Sequence, residues 1–229
     1  MTEHAKLSIT DTFGGPKRKG ERTRERILEI ASNSVLEKGF GATSIEEIIA
    51  EAGLTKSGFF YHFRDKNELA RALLQRYIEQ DDEILDQVFD RARELVDDPL
   101  QQLLAALKML AEVLEDLPNG HPGCIVAVYC YQERLFDKEV RDLNRHAVLA
   151  WRIRFRAILD DIAGQYQTTE PVDLEQVADM ISTVLEGGIV MSKALNEPRK
   201  LADQVMLLRS FLKLLFTQRA ARDKTHKLL

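Results

Sequence analysis

Apolar residues recur every three or four positions along nearly the whole chain, and glycine or proline interrupts this pattern at only a few points. Ile27, Ile30, Ala31 and Val35 are one example, and Gly39 follows them. Such spacing places apolar side chains on one face of an α-helix and therefore predicts a series of amphipathic helices. We find no convincing strand, internal repeat or low-complexity tract. The predicted fold is all-α, with a small three-helix unit followed by a larger helical bundle.

The same periodicity gives approximate bounds for the later helices. We predict helices over residues 67–96, 99–115, 124–135, 138–165, 173–196 and 199–221. Breaks are expected at residues 117–123, which contain prolines and glycines, and at the polar residues 167–171. Residues 1–20 are predicted to form a flexible basic arm. The predicted domains are a compact three-helix domain over residues 21–66 and a larger helical domain over residues 67–229.

The first 66 residues contain the signals of a helix-turn-helix. Ser44 and Glu47 form the pattern of a capping box, in which each side chain satisfies a backbone N–H of the other residue. Gly53 permits a sharp turn after this helix. Thr55 is placed to cap a short third helix that ends near Phe63. Two helices joined by such a turn are typical of DNA-reading proteins, although spacing alone is a weak signal because helical hairpins are common.

The distribution of charge favours contact between the N-terminal part of the chain and a nucleic acid. The whole chain has a net charge of −5, which by itself argues against such a partner. Residues 1–66, however, carry a net charge of +1, and the remainder carries −6. Six basic residues lie between Lys17 and Arg26. An acidic body with a basic leading edge repels DNA except where contact is required, although a solvated tail without function also fits this pattern.

Residue types within the third helix divide into an inner and an outer set. Phe59 and Phe63 are predicted to anchor the helix, and Phe60 is also assigned to the core. The side chains expected to face outward, toward base edges and phosphates of the major groove, are Lys56, Ser57, Tyr61 and His62. Lys66 follows just after this helix and is predicted to contact another phosphate.

The stretch from Thr23 to Leu69 resembles the DNA-binding domain of the TetR family. The matching pieces are "TRERILEIASNSVLEKGF", "TSIEEIIAEAGLTKSGFFYHF" and "KNEL". The resemblance implies a homodimer, a palindromic double-stranded DNA operator and a C-terminal domain that often binds a small ligand. One departure is Phe60, where the family usually has tyrosine, so a phenolic phosphate contact is expected to be absent. The predicted DNA contacts are Arg18, Lys19, Thr23, Ser44, Lys56, Ser57, Gly58, Tyr61, His62 and Lys66.

A ligand pocket is expected among the middle helices. The bulky apolar and adaptable side chains of this region are Phe89, Met109, Tyr129, Trp151, Phe155 and Met180. As a set they suggest a small apolar or aromatic effector, although core packing explains each of them equally well.

The last two helices are predicted to form the dimer interface, as the resemblance also implies. A helix that is apolar on two sides needs two partners. The final helix carries a first apolar stripe of Leu201, Val205, Leu208, Leu212 and Leu215 and a second stripe of Leu207, Phe211 and Leu214. Two adjacent glycines inside the preceding helix are explained either by close helix approach or by a local kink. The predicted interface residues are Gly187, Gly188, Leu208, Phe211, Leu212 and Leu215.

The sequence offers no signature of catalysis. No nucleophile elbow, phosphate loop or di-iron pattern is present, so no catalytic residue, metal site or cofactor is predicted. Cys124 and Cys130 are expected to be semi-buried thiols without a disulfide or a zinc ion. Neither a transmembrane segment nor a signal peptide is recognised, so no membrane partner and a cytoplasmic location are expected.

These observations predict a sequence-specific transcriptional regulator, and more specifically a repressor that a small-molecule effector releases from its operator. One alternative is an activator, or a regulator that responds to no ligand, with the same DNA contacts. A second alternative is a helical enzyme or carrier in which the motif is incidental.

Overall fold

The computed structural model describes residues 19–218. Its helices are α1 (Lys19–Lys38), α2 (Ile45–Ala52), α3 (Lys56–His62), α4 (Lys66–Leu95), α5 (Pro99–Glu115), α6 (Ile125–Tyr131), α7 (Lys138–Gln165), α8 (Leu174–Leu195) and α9 (Lys200–Leu215). A 3-10 turn, Glu133–Leu135, follows α6, and two short strands are β1 (Tyr166–Thr168) and β2 (Phe216–Gln218). The all-α class predicted from the sequence is confirmed. None of the helices within residues 19–218 is both long and apolar enough to span a membrane.

Several helix ends lie where local side-chain chemistry places them. The Asp98 side chain accepts a hydrogen bond from the backbone N–H of Gln101 at 2.8 Å, and Pro99 occupies the first turn of α5, where no N–H is needed. Gly53 ends α2 with φ of +64° and Asn196 ends α8 with φ of +54°, both in the left-handed region. These caps explain why the predicted bounds of α5 and α8 agree closely with the observed ones.

Three of the predicted boundaries are wrong. The helix predicted to run to residue 135 ends at Tyr131, where a turn and the 3-10 segment follow. The last helix ends at Leu215 rather than near Ala221, because the chain enters β2. At the other end, α1 begins at Lys19, so Lys19 and Gly20 are helical and do not belong to the predicted arm. The rest of the arm, residues 1–18, lies outside the described residues.

A small antiparallel sheet was not predicted from the sequence. Tyr166 pairs with Gln218 and Thr168 pairs with Phe216, so the end of α7 is joined to the end of α9. The hydroxyl group of Tyr166 donates a 2.7 Å hydrogen bond to the carboxylate of Asp98. Strands of three residues are too short to show the alternation of polar and apolar side chains by which strands are recognised.

The chain forms two compact units. The first contains residues 19–82 and 122–147 of the described chain, and the second contains residues 83–121 and 148–218. The first unit thus extends beyond residue 66 and includes α6 and the start of α7. Its most deeply buried side chains include Ile27, Leu28, Ile48, Phe59, Phe63, Leu69, Leu73 and Leu74. Those of the second include Leu103, Leu104, Leu107, Leu159, Ile162, Ile181, Val205 and Leu212.

Candidate nucleic-acid interface

The predicted capping box at the start of α2 is formed. The Ser44 hydroxyl accepts a hydrogen bond from the backbone N–H of Glu47 at 3.1 Å, and the Glu47 carboxylate accepts one from the N–H of Ser44 at 3.2 Å. Lys38 donates a 2.7 Å hydrogen bond to the same carboxylate, and these contacts lower the pKa of Glu47. Ser44 is thus engaged as a helix cap, and its predicted DNA contact stays a prediction.

The predicted cap of α3 is also formed. The Thr55 hydroxyl accepts a 3.1 Å hydrogen bond from the backbone N–H of Gly58 and lies 3.1 Å from the Ser57 hydroxyl. A Cβ on Gly58 would stand 3.3 Å from the Thr55 hydroxyl oxygen, so any larger residue would press on the cap. The beginning of α3 is therefore held by its own side chains, and Ser57 lies beside it with its hydroxyl exposed.

One face of α3 is exposed, and it includes a residue that sequence reasoning assigned to the core. Phe59 and Phe63 are fully buried, as predicted. Phe60 is 39% exposed, with its ring at 88° to that of Phe59. Together with Lys56, Ser57 and Tyr61, Phe60 follows the i, i+1, i+4, i+5 spacing of a single helix face. The prediction that Phe60 lies in the core is therefore wrong.

The two residues at the end of α3 differ in exposure. Tyr61 is 84% exposed, and the His62 ring is half-buried with its centroid 5.1 Å from that of Tyr61. Tyr61 is thus presented to solvent as predicted, whereas His62 is partly covered. The sequence could have indicated the position of Phe60, because a residue directly adjacent to an anchoring residue, here Phe59, does not share its helix face.

Lys66 is held by the fold of the first unit. Its ammonium group donates a 2.9 Å hydrogen bond to the carbonyl of Phe40 and lies 4.6 Å from the centroid of the Phe40 ring. Partial burial lowers the pKa of Lys66. Its phosphate contact stays a prediction, and the structure adds a second role, which is to tie the beginning of α4 to Phe40.

Most of the other basic side chains near α3 are also engaged. Arg24 lies 4.9 Å from the centroid of the Phe63 ring, Arg26 donates to the carbonyl of Glu51, and Arg64 pairs with Asp65. By contrast, the side chains of Lys19, Arg22 and Lys56 are exposed and make no ion pair or hydrogen bond with any residue of 19–218. Arg22 was missed by sequence reasoning, although it lies one helical turn after Lys19.

Two further predicted DNA contacts are Thr23, near the beginning of the described chain, and Arg18, which precedes it. The Thr23 hydroxyl donates a 3.0 Å hydrogen bond to the carbonyl of Lys19 within α1. Arg18 lies outside the described residues. Both DNA contacts stay predictions.

The residues predicted to line a ligand pocket do not all belong to one unit. Phe89, Met109, Trp151, Phe155 and Met180 belong to the second unit. Phe89 and Phe155 are buried there, with ring centroids 6.5 Å apart. Tyr129 belongs to the first unit, where its hydroxyl donates to the carbonyl of Ala70 at 2.9 Å and burial raises its pKa. Tyr129 therefore has a packing role in the first unit.

The residues predicted for the dimer interface divide into buried and exposed groups. Leu208, Leu212 and Leu215 are buried within the second unit and are not available to another chain, which corrects their assignment. Phe211 is exposed, as are Leu207 and Leu214 of the second stripe. The glycines also differ, since a Cβ on Gly188 would meet Leu201 at 2.7 Å whereas a Cβ on Gly187 would meet nothing within 4 Å. Gly188 thus serves close packing of α8 on α9.

The cysteines and the possible metal ligands within residues 19–218 form no second candidate site. Cys124 is buried and Cys130 is exposed, so the prediction that both are semi-buried is wrong, and neither forms a disulfide within residues 19–218. Within the described part of the chain, no group of three or more His, Cys, Asp or Glu side chains is arranged to hold a metal ion.

Comparisons with known proteins identify the family. Residues 27–73 match the profile of the bacterial regulatory proteins of the tetR family. The HTH-type transcriptional regulator TtgR of Pseudomonas putida is 31% identical over 174 residues, which are 75% of this chain and 80% of that protein. The HTH-type transcriptional repressor KstR2 of Mycobacterium tuberculosis is 30% identical over 95 residues, which are 40% of this chain and 44% of that protein.

A solved structure shares the fold over most of the chain. A TetR transcriptional regulator from Chloroflexus aurantiacus J-10-FL superposes with a TM-score of 0.71 at 22% identity, covering 89% of this chain and 100% of its own. With the capped helix-turn-helix and the exposed face of α3 in the first unit, these similarities lead to one conclusion. The chain belongs to the tetR family of bacterial regulatory proteins and is a helix-turn-helix transcriptional regulator.

Proposed function

We propose that the chain is a dimeric repressor that leaves a palindromic operator when a small apolar or aromatic effector binds. The observation that carries this proposal is the exposed face of α3, formed by Lys56, Ser57, Phe60 and Tyr61. This face combines an ammonium group, two hydroxyl groups and two aromatic rings. Such groups match the phosphates, the hydrogen-bonding base edges and the thymine methyl groups of a major groove.

The proposed contacts fall into two classes. Lys19, Arg22 and Lys56 contact phosphates, because their charges are exposed and are not neutralised within the described chain. Ser57, Phe60 and Tyr61 contact bases or sugars from the face of α3. The predicted contacts of Arg18, Thr23, Ser44, Gly58, His62 and Lys66 are retained as positions that flank this face.

The proposed dimer interface is the exposed apolar surface of α8 and α9. On α8, Val190, Met191 and Leu195 follow Gly187 at helical spacing. On α9, the exposed apolar side chains are Leu207, Phe211 and Leu214, the last of them 75% exposed. Apolar stripes of this size on a protomer mark surfaces that bind another protein. A two-fold pairing of these helices buries both stripes and supplies the two reading heads that a palindromic operator needs.

The proposed effector site lies in the interior of the second unit. Phe89 and Phe155 supply buried aromatic surface on α4 and α7, and Met109, Trp151 and Met180 are half-buried on α5, α7 and α8. An apolar interior with adaptable methionines favours an apolar or aromatic ligand. The assignment as a repressor draws on the M. tuberculosis relative, which is named a repressor. A reporter assay that compares deletion with overexpression separates repression from activation.

Selection of bound fragments from genomic DNA tests the DNA-binding part of the proposal. The purified chain should retain fragments that share a two-fold symmetric sequence, with half-sites about one DNA turn, roughly 34–36 Å, apart. Retention of no sequence in preference to bulk DNA would refute the proposal and favour the helical enzyme or carrier.

Sedimentation of charged variants tests the dimer. Leu214→Glu should shift the chain toward monomer and weaken operator binding, because a buried unpaired carboxylate is costly. The matched control is Ile153→Glu on α7, since Ile153 is also apolar and exposed but lies outside the proposed interface. A fully dimeric Leu214→Glu variant would place the interface elsewhere.

A further inference from the structure

A glutamine that follows α6 is hydrogen-bonded to the turn that leads into the helix-turn-helix. The backbone N–H of Gln132 donates to the carbonyls of Val128 and Tyr129, so this residue ends α6. Its side chain extends to residues 39–44, which connect α1 to α2 and are called the α1–α2 turn below. There the Oε1 atom of Gln132 accepts a 2.9 Å hydrogen bond from the backbone N–H of Gly41.

The two glycines of the α1–α2 turn leave the space that residues 132–135 occupy. A Cβ on Gly39 would stand 2.5 Å from the Nε2 atom of Gln132, and the φ of Gly39 is +83°, a conformation that favours glycine. A Cβ on Gly41 would stand 3.2 Å from the Cδ1 atom of Leu135. The turn and the segment after α6 therefore fit each other closely at two positions.

An aromatic cluster lies beside this hydrogen bond. The Phe40 ring, between the two glycines, has its centroid 5.6 Å from that of Tyr129 and 4.7 Å from that of Phe136. Ring packing is less directional than a hydrogen bond, so this cluster holds the segment against the turn but fixes the orientation of the backbone less strictly. The bond from Gly41 to Gln132 is directional and supplies that orientation.

The orientation of the α1–α2 turn bears on α2. The turn ends at Ser44, the cap of α2, and the buried Thr43 hydroxyl donates to the carbonyl of Gly39 at 3.0 Å. A rotation of the backbone at residues 39–41 therefore changes the start of α2. Since α2 packs on α3, the exposed face of α3 changes with it.

We propose that Gln132 is a positioning residue for operator binding, which acts by fixing the α1–α2 turn through the N–H of Gly41. This inference rests on the proposed function, because it requires an operator. The Gly41 N–H is exposed, so water can replace the missing acceptor, and removal of the acceptor affects orientation more than stability. Gln132 is therefore expected to affect the choice between operator and other DNA more than binding to DNA in general.

Two variants that differ in one acceptor test the role of the hydrogen bond. Gln132→Met keeps the length of the side chain and removes the acceptor, whereas Gln132→Glu keeps an acceptor for Gly41. At fixed salt, Gln132→Met should lower the ratio of operator affinity to affinity for unrelated DNA about fivefold, which is the equivalent of one hydrogen bond. Gln132→Glu should restore this ratio to within about twofold. Hydrogen exchange at the Gly41 amide should accelerate in Gln132→Met only.

Gln102→Met is the matched control, because the side-chain amide of Gln102 is also hydrogen-bonded to the backbone, where it donates to the carbonyl of Val96, but it lies in the second unit. It should leave the affinity ratio unchanged. Lower thermal stability of Gln132→Met with an unchanged ratio would overturn the inference and make Gln132 a purely structural residue. Failure of Gln132→Glu to restore the ratio would overturn it as well. If the wild-type chain prefers no DNA sequence, the proposed function fails and this inference fails with it.

Discussion

Lys56 and Lys66 lie close together in the sequence, but their ammonium groups have different surroundings. Lys56 is exposed and forms no hydrogen bond or ion pair within residues 19–218, whereas the ammonium group of Lys66 contacts the carbonyl and the ring of Phe40. We expect Lys56→Ala to weaken binding to all DNA sequences. The slope of log K against log salt should fall by about 0.9 for each phosphate that is no longer neutralised, and a dimer presents this lysine twice. Thermal stability should be unchanged.

Lys66→Ala should instead lower the stability of the folded protein. Loss of the hydrogen bond and the cation–π contact should lower the free energy of unfolding by about 1–2 kcal/mol. Urea denaturation measures this effect, and titrations over a range of salt measure the slope. A fall in the slope without a loss of stability would show that the phosphate contact predicted from the sequence is the main role of Lys66.

A second prediction at the residue scale concerns His121, which is largely buried in the second unit. Burial, together with the charge of Lys193, lowers its pKa to about 4 from 6.5. The unfolded chain therefore binds a proton at His121 at a higher pH than the folded protein does. This residue contributes stability above about pH 6.5 and loses it as the pH falls toward about 4, by at most about 3 kcal/mol.

His121→Gln tests this linkage. Urea denaturation at several pH values should show a flatter fall in stability between about pH 6.5 and 4.5 than in the wild-type chain. His146→Gln is the control, because His146 is exposed on α7. Equal pH profiles for His121→Gln and the wild-type chain would show that burial does not lower the pKa of His121.

At the scale of elements, the features predicted best from the sequence are those that depend on residues close together in the chain. The caps at Ser44 and Thr55 depend on residues three positions apart, and both are formed as predicted. The pairing of β1 with β2 joins residues that are far apart in the chain, and no local pattern indicates it. This is also why the end of α9 was placed too late.

The orientation of an apolar stripe likewise depends on distant parts of the chain. Both stripes of α9 were recognised from their spacing, but the sequence does not say which of them packs inward. The structure buries Leu208 and Leu212 and exposes Leu207 and Leu214, because the first pair lies on the side of α9 that packs within the second unit. Spacing identifies the faces of a helix, and only tertiary packing assigns their partners.

The adjacent glycines of α8 provide a prediction at this scale. Gly188→Ala should destabilise the protomer by about 1–3 kcal/mol, because the new methyl group would overlap the side chain of Leu201 and approach its backbone. Gly187→Ala should stabilise the protomer by about 0.5–1 kcal/mol, because its Cβ meets open space and alanine favours the helix. Chemical denaturation of the two variants side by side measures both effects.

Variants of Gly187 also test the proposed dimer interface. Gly187→Leu adds volume on the proposed dimer face and should increase the monomer fraction in sedimentation, whereas Gly187→Ala should do so less. Equal destabilisation by Gly187→Ala and Gly188→Ala would mean that α8 and α9 do not approach as closely at Gly188 as the structure shows.

At the scale of the whole molecule, the net positive charge lies at the beginning of the chain. The net charge of +1 falls on residues 1–66, most of which lie in the first unit, and the remainder carries −6. Such a distribution directs DNA toward the helix-turn-helix and away from the rest of the chain. α4 and α7 each contribute residues to both units, so the chain passes between them within continuous helices.

Effector binding and operator binding should therefore be linked. Trp151 fluorescence provides a direct measurement of effector affinity, because Trp151 is the single tryptophan of the chain. Small aromatic compounds, with 1-naphthol as the first probe, should quench Trp151 fluorescence when they enter the second unit. A compound that releases DNA must bind the DNA-incompetent conformation more tightly, by a factor of about 5–150 in typical cases. Reciprocity requires saturating operator DNA to weaken quenching by that same factor, while sedimentation shows an unchanged dimer. Equal affinity of every quenching compound with and without operator would leave the second unit as a dimerisation module alone.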